Sequence, residues 1–220
     1  MSDHPLRRHD LVFVSGSAWR SFMTAREDLA MEPSVAGWVD RGWPLVVRRP
    51  LLGETRGVAL GLPLPPSAGK RRIDILMATA DIVSTAPPLP LGVAIGAAPA
   101  AWQPTLAKVM NMAQRHGVEA RVFGSLAWRA LTGLDYLTAR SDLDLLFPMR
   151  RSSDPMPLVA ELGEIDSNAP MRLDGEIVRD DGAAVNWREL HSGTPDVLVK
   201  TLREVKLLSA GLFCCEGAMS

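Results

Sequence analysis

The sequence contains little cysteine and no excess of either charge, and each absence excludes a class of protein. Only two of the 220 residues are cysteines, and because Cys214 and Cys215 are adjacent they suit neither a disulfide framework nor a Cys-x-x-Cys metal site. The 25 acidic residues nearly balance the 24 lysines and arginines, giving a formal charge of −1. Since dedicated nucleic-acid-binding proteins usually carry a basic excess, we expect no nucleic-acid partner.

Long apolar runs are also absent. No uninterrupted apolar stretch is long enough to cross a bilayer, and the charged start of the chain, MSDHPLRRHD, has no signal-peptide core. The four histidines are not spaced as metal ligands, so the sequence predicts no zinc site. These observations predict a soluble, cytoplasmic protein without a membrane partner.

The apolar residues that are present suffice for two small α+β domains. They make up 47% of the chain, which is ordinary for a globular core. The stretch STAPPLPLG at 84–92 is rich in proline and predicts a linker, because proline lacks the backbone donor that a helix or central strand needs. We therefore expect an N-terminal α+β domain over residues 1–85 and a catalytic domain, a mixed sheet with flanking helices, over residues 86–220.

Periodicity and turn residues predict the elements of both domains. The N-terminal domain is expected to contain a strand at 11–15, a helix at 18–30 and strands at 44–49, 57–65 and 73–77. The C-terminal domain is expected to contain a helix at 104–117, a strand at 120–124, a helix at 125–131, a strand at 142–147, a hairpin at 171–190 and a last helix at 194–211.

One segment of the C-terminal domain combines a Gly-Ser turn with two aspartates. It reads VFGSLAWRALTGLDYLTARSDLDLLF, and Asp142 and Asp144 lie two residues apart in a predicted strand. Their side chains therefore point to one face, where the two carboxylates repel each other. A divalent cation turns that repulsion into binding, and Mg²⁺ favours one or two carboxylates together with phosphate oxygens of a substrate. The segment predicts a Mg²⁺ site at these aspartates.

Gly124 and Ser125 are the predicted phosphate-binding residues. Glycine lets a ligand approach the backbone closely, and we expect Ser125 to cap a helix whose first N–H groups have no internal acceptors. Those groups and the positive end of the helix attract a phosphate. Taken alone, Gly-Ser is better explained as a turn and a cap, and two exposed aspartates on a strand edge occur by chance. The prediction therefore depends on the combination of strand, Gly-Ser, helix and a strand with paired aspartates.

A third carboxylate is expected on the segment MRLDGEIV of the predicted hairpin. Arg172, Asp174 and Glu176 share one face of that strand. We assign Asp174 as a third metal ligand and as the base that takes a proton from an attacking hydroxyl. Glu176 is the alternative base, because strand register is not fixed by the sequence. The alternative is that this face has no function. It would then be a solvated face of a hairpin, on which Arg172 forms an ion pair with a neighbour.

Two cations are assigned to the phosphates of a substrate, Arg172 and Lys200. Lys200 lies on the predicted last helix in a row with Arg203 and Lys206, from where it could reach a leaving diphosphate. The polar face of an amphipathic helix explains this row equally well.

The order of these residues resembles the pattern of the DNA polymerase beta-type nucleotidyltransferase superfamily. That pattern is an apolar residue followed by Gly-Ser, a helix, a strand with Asp-x-Asp and a third carboxylate on a later strand. Gly124-Ser125, Asp142, Asp144 and Asp174 follow it in order. Gly175 departs from it, because the pattern has an apolar residue there.

A closer resemblance extends over most of the chain. The phrases RHDLV, GLPLPPSAGKRR, FGSLAWRALTGLDYL, SDLDLL, RLDGEIV and NWREL resemble the phosphoribosyl-dephospho-CoA transferase family. The resemblance implies that Asp142 and Asp144 are catalytic. It also implies that a prosthetic group passes from triphosphoribosyl-dephospho-CoA to a serine of the apo acyl-carrier subunit of malonate decarboxylase, releasing diphosphate. The N-terminal half would then bind the carrier or the pantetheine arm.

Two other functions stay open at the level of the sequence. The chain could be a nucleotidyltransferase that modifies another protein or a small molecule. It could also be a non-catalytic nucleotide-binding or protein-interaction module, in which case Asp142 and Asp144 would be dispensable.

Overall fold

The computed structural model describes residues 5–29 and 32–215, and the chain divides into two compact units, Met1–Pro87 and Pro88–Ser220. Each unit contains one sheet with helices, so the predicted α+β class with two small domains is confirmed. Within the described ranges, no helix combines the length and the apolar character that crossing a membrane would require.

The N-terminal unit is an antiparallel sheet of five strands in the order β4-β3-β2-β1-β5. The strands are β1 (Leu11–Val14), β2 (Leu45–Val47), β3 (Val58–Pro63), β4 (Arg72–Met77) and β5 (Ile82–Ala86). The helices are α1 (Gly16–Thr24) and α2 (Pro33–Ala36). β4 shows why these segments become strands: buried Ile73, Ile75 and Met77 alternate with exposed neighbours, the period of two that a sheet with one buried face requires.

One prediction for this unit needs correction. The helix predicted over 18–30 begins earlier, because the Ser15 side chain accepts a hydrogen bond from the Ala18 N–H and caps the helix there. It ends at Thr24, whereas Ala30, the predicted end, lies outside the described residues. The predicted linker at 84–92 contains the division between the two units, at Pro87 and Pro88. It also contains strand structure, because β5 extends into it and a short edge strand, residues 89–90, follows.

The C-terminal unit is a mixed sheet of seven strands in the order β12-β11-β10-β9-β8-β7-β6. The strands are β6 (Leu89–Pro90), β7 (Arg121–Val122), β8 (Leu143–Pro148), β9 (Leu173–Val178), β10 (Ala184–Asn186), β11 (Asp196–Lys200) and β12 (Val205–Ser209). The helices are α3 (Leu91–Ala94), α4 (Gln103–Arg115), α5 (Gly124–Thr132), α6 (Met156–Asp166), α7 (Trp187–His191) and α8 (Ala210–Cys215). β8 and β9 pair in parallel, and the other neighbouring strands pair antiparallel.

One face of this sheet carries the core of the unit. Along β8, Leu143, Leu145 and Phe147 are completely buried, and the alternating residues point to the other face. Helix α4 contributes Leu106, Val109 and Ala113 to the same core, at the three- and four-residue spacing of a helix packed on one side. The residues that alternate with the core positions, among them Asp144 of β8 and Asp174 and Glu176 of β9, lie on the second face of the sheet.

The prediction of a last helix over residues 194–211 is wrong. Residues 196–209 form the hairpin of β11 and β12, and a helix begins only at Ala210. In β11, Val197 and Val199 are buried while Leu198 is exposed, which is the alternation of a strand. The leucines at 198 and 202 have helical spacing by coincidence, since Leu202 lies in the turn between the strands.

Candidate functional site

The parallel pairing of β8 with β9 brings two of the predicted acids together. Asp144 and Asp174 are register partners on these adjacent strands, which lie about 4.8 Å apart in a sheet. Asp142 lies two residues before Asp144, and both aspartates are half-buried while Leu143 between them is buried. The three carboxylates therefore belong to the beginning of two neighbouring strands, on the face opposite the core.

Gly124 connects the Gly-Ser turn to this acid pair. Its φ of +65° lies in the left-handed region, which glycine adopts without strain. A Cβ at this position would overlap the Asp144 carboxylate, so the backbone of Gly124 packs directly against that group. The Phe123 N–H also donates to the Asp144 carbonyl oxygen at 3.1 Å. The turn and the acid therefore keep a fixed relative position.

Helix α5 begins at Gly124, and the expectation that Ser125 caps it is wrong. The N-cap is Phe123, whose side chain makes no capping hydrogen bond, and Ser125 is the second helical residue. The first-turn N–H groups therefore lack the side-chain acceptor that Ser, Thr, Asp or Asn usually supplies at this position. An anion can take that place at the positive end of the helix.

Asp174 is held by Asn186, which was not predicted from the sequence. Its Oδ1 accepts hydrogen bonds from Asn186 Nδ2 at 2.7 Å and from the Gly175 N–H at 2.9 Å. In the described part of the chain, Oδ2 of Asp174 accepts none. Asn186 also caps α7 by accepting from the Arg188 N–H at 2.9 Å. An Asn before a short helix, on the strand paired with the acidic strand, was the available signal.

Gly175, the departure from the superfamily pattern, has a structural reason. An added Cβ would lie 2.5 Å from the Leu145 carbonyl oxygen of β8. The close approach of β8 to β9 therefore leaves no room for an apolar side chain. Glycine at 175 fits the strand pairing that aligns Asp144 with Asp174. Its presence is therefore compatible with Asp174 as the third carboxylate.

Glu176 and Lys200 occupy the same face but pair with each other. Lys200 Nζ lies 3.1 Å from Glu176 Oε1, and the Glu176 residue is only 5% exposed. Lys200 is the last residue of β11, not part of a helix. Its charge is therefore directed at Glu176.

Arg172, just before β9, is exposed and lines an open cleft of about 500 Å³ that Asp142 also lines. Arg172 was predicted from the sequence, whereas Arg129 and Arg140, which line the cleft as well, were not. The sequence indicated Arg129 and Arg140 only by their position between the Gly-Ser turn and the Asp-x-Asp strand.

The acids fit a magnesium ion that arrives with a phosphorylated substrate. Across residues 5–29 and 32–215, no group of three or more His, Cys, Asp or Glu side chains is arranged to hold a metal by itself. Mg²⁺ does not require such a cage, since it is usually bound by one or two carboxylates plus substrate phosphates. The neighbouring Asp144 and Asp174, with Asp142 two residues away, supply oxygen ligands of that kind.

Comparison with known proteins decides the family. Residues 7–88 match the family model described as the phosphoribosyl-dephospho-CoA transferase MdcG N-terminal domain, and residues 90–211 match that of the MdcG C-terminal domain. The chain belongs to the phosphoribosyl-dephospho-CoA transferase family. It is a transferase, and the resemblance seen in the sequence phrases is confirmed.

Relatives bearing the name phosphoribosyl-dephospho-CoA transferase align along nearly the whole chain. The protein from Bradyrhizobium diazoefficiens is 52% identical over 96% of this chain and 93% of its own length. The protein from Xanthomonas euvesicatoria is 39% identical over 96% and 98%, and that from Pseudomonas putida 33% identical over 92% and 93%. No solved structure shows a significant match. The family membership therefore covers both units.

Proposed function

We propose that this protein transfers the phosphoribosyl-dephospho-CoA group from triphosphoribosyl-dephospho-CoA to a serine of the apo acyl-carrier subunit of malonate decarboxylase, in the cytoplasm, and releases diphosphate. The single observation that carries the chemistry is the packing of Gly124 against Asp144, with Asp174 as the neighbour of Asp144. This arrangement joins a phosphate-binding helix start to two carboxylates. The name of the relatives supports the identity of the transferred group.

Asp142, Asp144 and Asp174 would hold Mg²⁺. Bound there, the ion supplies positive charge that offsets the triphosphate and the charge that develops on the leaving diphosphate. Gly124, Ser125 and the first-turn N–H groups of α5 would bind the terminal phosphates. Their N–H groups are fixed before the substrate arrives, so they need no reorganisation during the reaction.

Asp174 is the base in this proposal. The serine hydroxyl oxygen of the carrier attacks the phosphorus next to the ribosyl oxygen. Asp174 takes the hydroxyl proton, the new P–O bond forms, and the bond to diphosphate breaks with its electron pair on the leaving oxygen. Asp174 suits this role better than Glu176, because its Oδ2 accepts no hydrogen bond within the described residues, whereas Glu176 is buried and paired with Lys200.

The N-terminal unit would bind the carrier or the pantetheine arm. The corresponding family domain covers residues 7–88, so the unit accompanies the catalytic one in the relatives. A protein acceptor offers a large surface, and a separate domain is one way to bind it without crowding the acids.

Mass spectrometry of the apo carrier tests the function. After incubation with this protein, Mg²⁺ and triphosphoribosyl-dephospho-CoA, we expect the carrier to gain the mass of the transferred group at one serine, with release of one diphosphate. A carrier with that serine replaced by alanine should gain nothing. If the wild-type carrier also gains nothing while another protein or a small molecule is modified, the chain is a nucleotidyltransferase of different acceptor specificity.

A further inference from the structure

Three arginines from different elements meet at the cleft beside Asp142. Arg129 comes from the last turn of α5, Arg140 from the loop between α5 and β8, and Arg172 from the residue before β9. Asp142 is the acidic residue among the described residues that line the cleft, so three positive charges face one negative charge. Clustered like charges repel each other unless an anion is bound between them.

These arginines are not used by the fold. Within residues 5–29 and 32–215, none of the three side chains forms a hydrogen bond or an ion pair. Arg188 nearby behaves differently, since it pairs with Asp166 at 2.7 Å. Guanidinium groups bind phosphate oxygens in a bidentate manner, so an unpartnered set of three is suited to a polyphosphate.

The loop that carries Arg140 is held in place without a ligand. The Thr138 N–H donates to Ser141 Oγ at 2.9 Å, and the Arg140 N–H donates to Thr138 Oγ1 at 3.3 Å. These bonds fix the backbone on both sides of Arg140. A preorganised loop loses less entropy when an anion binds.

The cleft is a separate place from the Gly-Ser turn, and its volume is too large for a phosphate alone. Neither Gly124 nor Ser125 lines it. Its volume of about 500 Å³ falls within the range of small-molecule sites, which is roughly 300–1,000 Å³. The apolar part of its wall suits an organic group attached to the phosphates; it consists of Pro99, Trp102, Leu137, Pro170 and Met171.

We propose that this arginine cleft, defined by Arg129, Arg140 and Arg172, binds the diphosphate of the dephospho-CoA part of the donor, with the adjoining adenosine or pantetheine against its apolar wall. The inference rests on the proposed function, which places the reacting triphosphate at Gly124 and Ser125. The donor then has one other diphosphate, the group that joins adenosine to pantetheine. Asp142 lines the cleft and precedes Asp144 by two residues, so the held end of the donor would adjoin its reacting end.

Titration calorimetry with dephospho-CoA, which lacks the reacting triphosphate, tests the cleft without catalysis. We expect Arg129→Gln, Arg140→Gln and Arg172→Gln each to weaken binding about tenfold or more, as expected when a charge-assisted hydrogen bond to phosphate is lost. Arg203→Gln is the matched control: Arg203 is exposed in the turn between β11 and β12 and does not line the cleft. It should leave the dissociation constant within twofold. Circular dichroism establishes that each variant is folded.

Several results overturn the inference. One is that wild-type protein fails to bind dephospho-CoA. Another is that the three cleft variants bind it as wild type does. A third is that they weaken only the binding of inorganic diphosphate, which would assign the cleft to the leaving group. Loss of dephospho-CoA binding in the cleft variants, together with no transfer to the carrier by wild type, would contradict the proposed function and leave the cleft assignment standing.

Discussion

At the scale of single residues, Gly124 is important because it has no side chain. The positive φ and the contact with the Asp144 carboxylate are two separate requirements for glycine at this position. Gly133, at the other end of α5, has only the first requirement, because its φ is +73° but nothing lies within 4 Å of an added Cβ. Comparing substitutions of the two glycines therefore distinguishes the effect of backbone strain from the effect of displacing the Asp144 carboxylate.

We expect Gly124→Ala to lower the rate of transfer about 10²-fold, the order that a displacement of 1 Å at a reacting group can cost. Gly133→Ala should leave the rate within about threefold. Both should lower the free energy of unfolding, since a non-glycine residue in the left-handed region costs about 1–2 kcal/mol. Single-turnover rates and urea denaturation of both variants measure these effects. Equal losses of rate would contradict a specific link between Gly124 and Asp144.

At the scale of elements, the sequence predicted local structure better than pairing. The Gly-Ser turn, α4, α5 and the Asp-x-Asp strand follow from patterns within a few residues, and the structure contains them with shifted ends. The hairpin of β11 and β12 was mistaken for a helix because Leu198, Leu202, Val205 and Leu208 have the three- and four-residue spacing of a helix, although Leu202 lies in the turn. The parallel register of Asp144 with Asp174 depends on residues about 30 positions apart, and periodicity carries no information about that. Asn186, Arg129 and Arg140 were missed for the same reason.

Asn186, at the junction of β10 with α7, makes two contacts, and one substitution can remove one of them while keeping the other. Asn186 caps α7 through its oxygen and holds Asp174 through its nitrogen. In Asn186→Ser the hydroxyl can still cap the helix but does not reach Asp174, so stability should change by about 0.5 kcal/mol or less. We expect kcat to fall about tenfold, the free-energy equivalent of one hydrogen bond, with KM for the donor little changed.

Steady-state kinetics and thermal unfolding of Asn186→Ser check this prediction. Asn186→Ala is the comparison, because it loses the cap as well and should show the same kcat with lower stability. An unchanged kcat in the serine variant would mean that Asn186 does not position Asp174 for the reaction.

At the scale of the whole molecule, an ion pair in the N-terminal unit makes the stability of the protein depend on acid. In the N-terminal unit, Glu54 accepts two hydrogen bonds from the nearly buried Arg48, at 2.7 and 2.6 Å, and one from the Leu51 N–H. The Arg48 guanidinium, and then this N–H, lower the pKa of Glu54 from its ordinary value of 4.5 to about 2. The stabilisation is therefore complete above pH 4.5 and is lost as the pH falls towards 2.

We expect Glu54→Gln to lower the free energy of unfolding by about 1–3 kcal/mol at pH 7 and by much less near pH 2, where wild-type Glu54 is becoming protonated. Urea denaturation of the full chain between pH 2 and 7 measures the difference. Asp28→Asn, which removes a more exposed pair with Arg26, should change stability little. A Glu54→Gln effect that did not depend on pH would contradict the ionic origin of the stabilisation.

The central claim is that the Asp144 carboxylate, held against Gly124 beside Asp174, supports transfer to the carrier serine. The most direct measurement is the single-turnover rate of carrier modification by Asp144→Asn at saturating donor and Mg²⁺, with dephospho-CoA binding measured in parallel. We predict a fall of about 10²-fold or more, since metal-assisted charge stabilisation is worth several kcal/mol, with dephospho-CoA still bound. A rate within threefold of wild type would contradict the account.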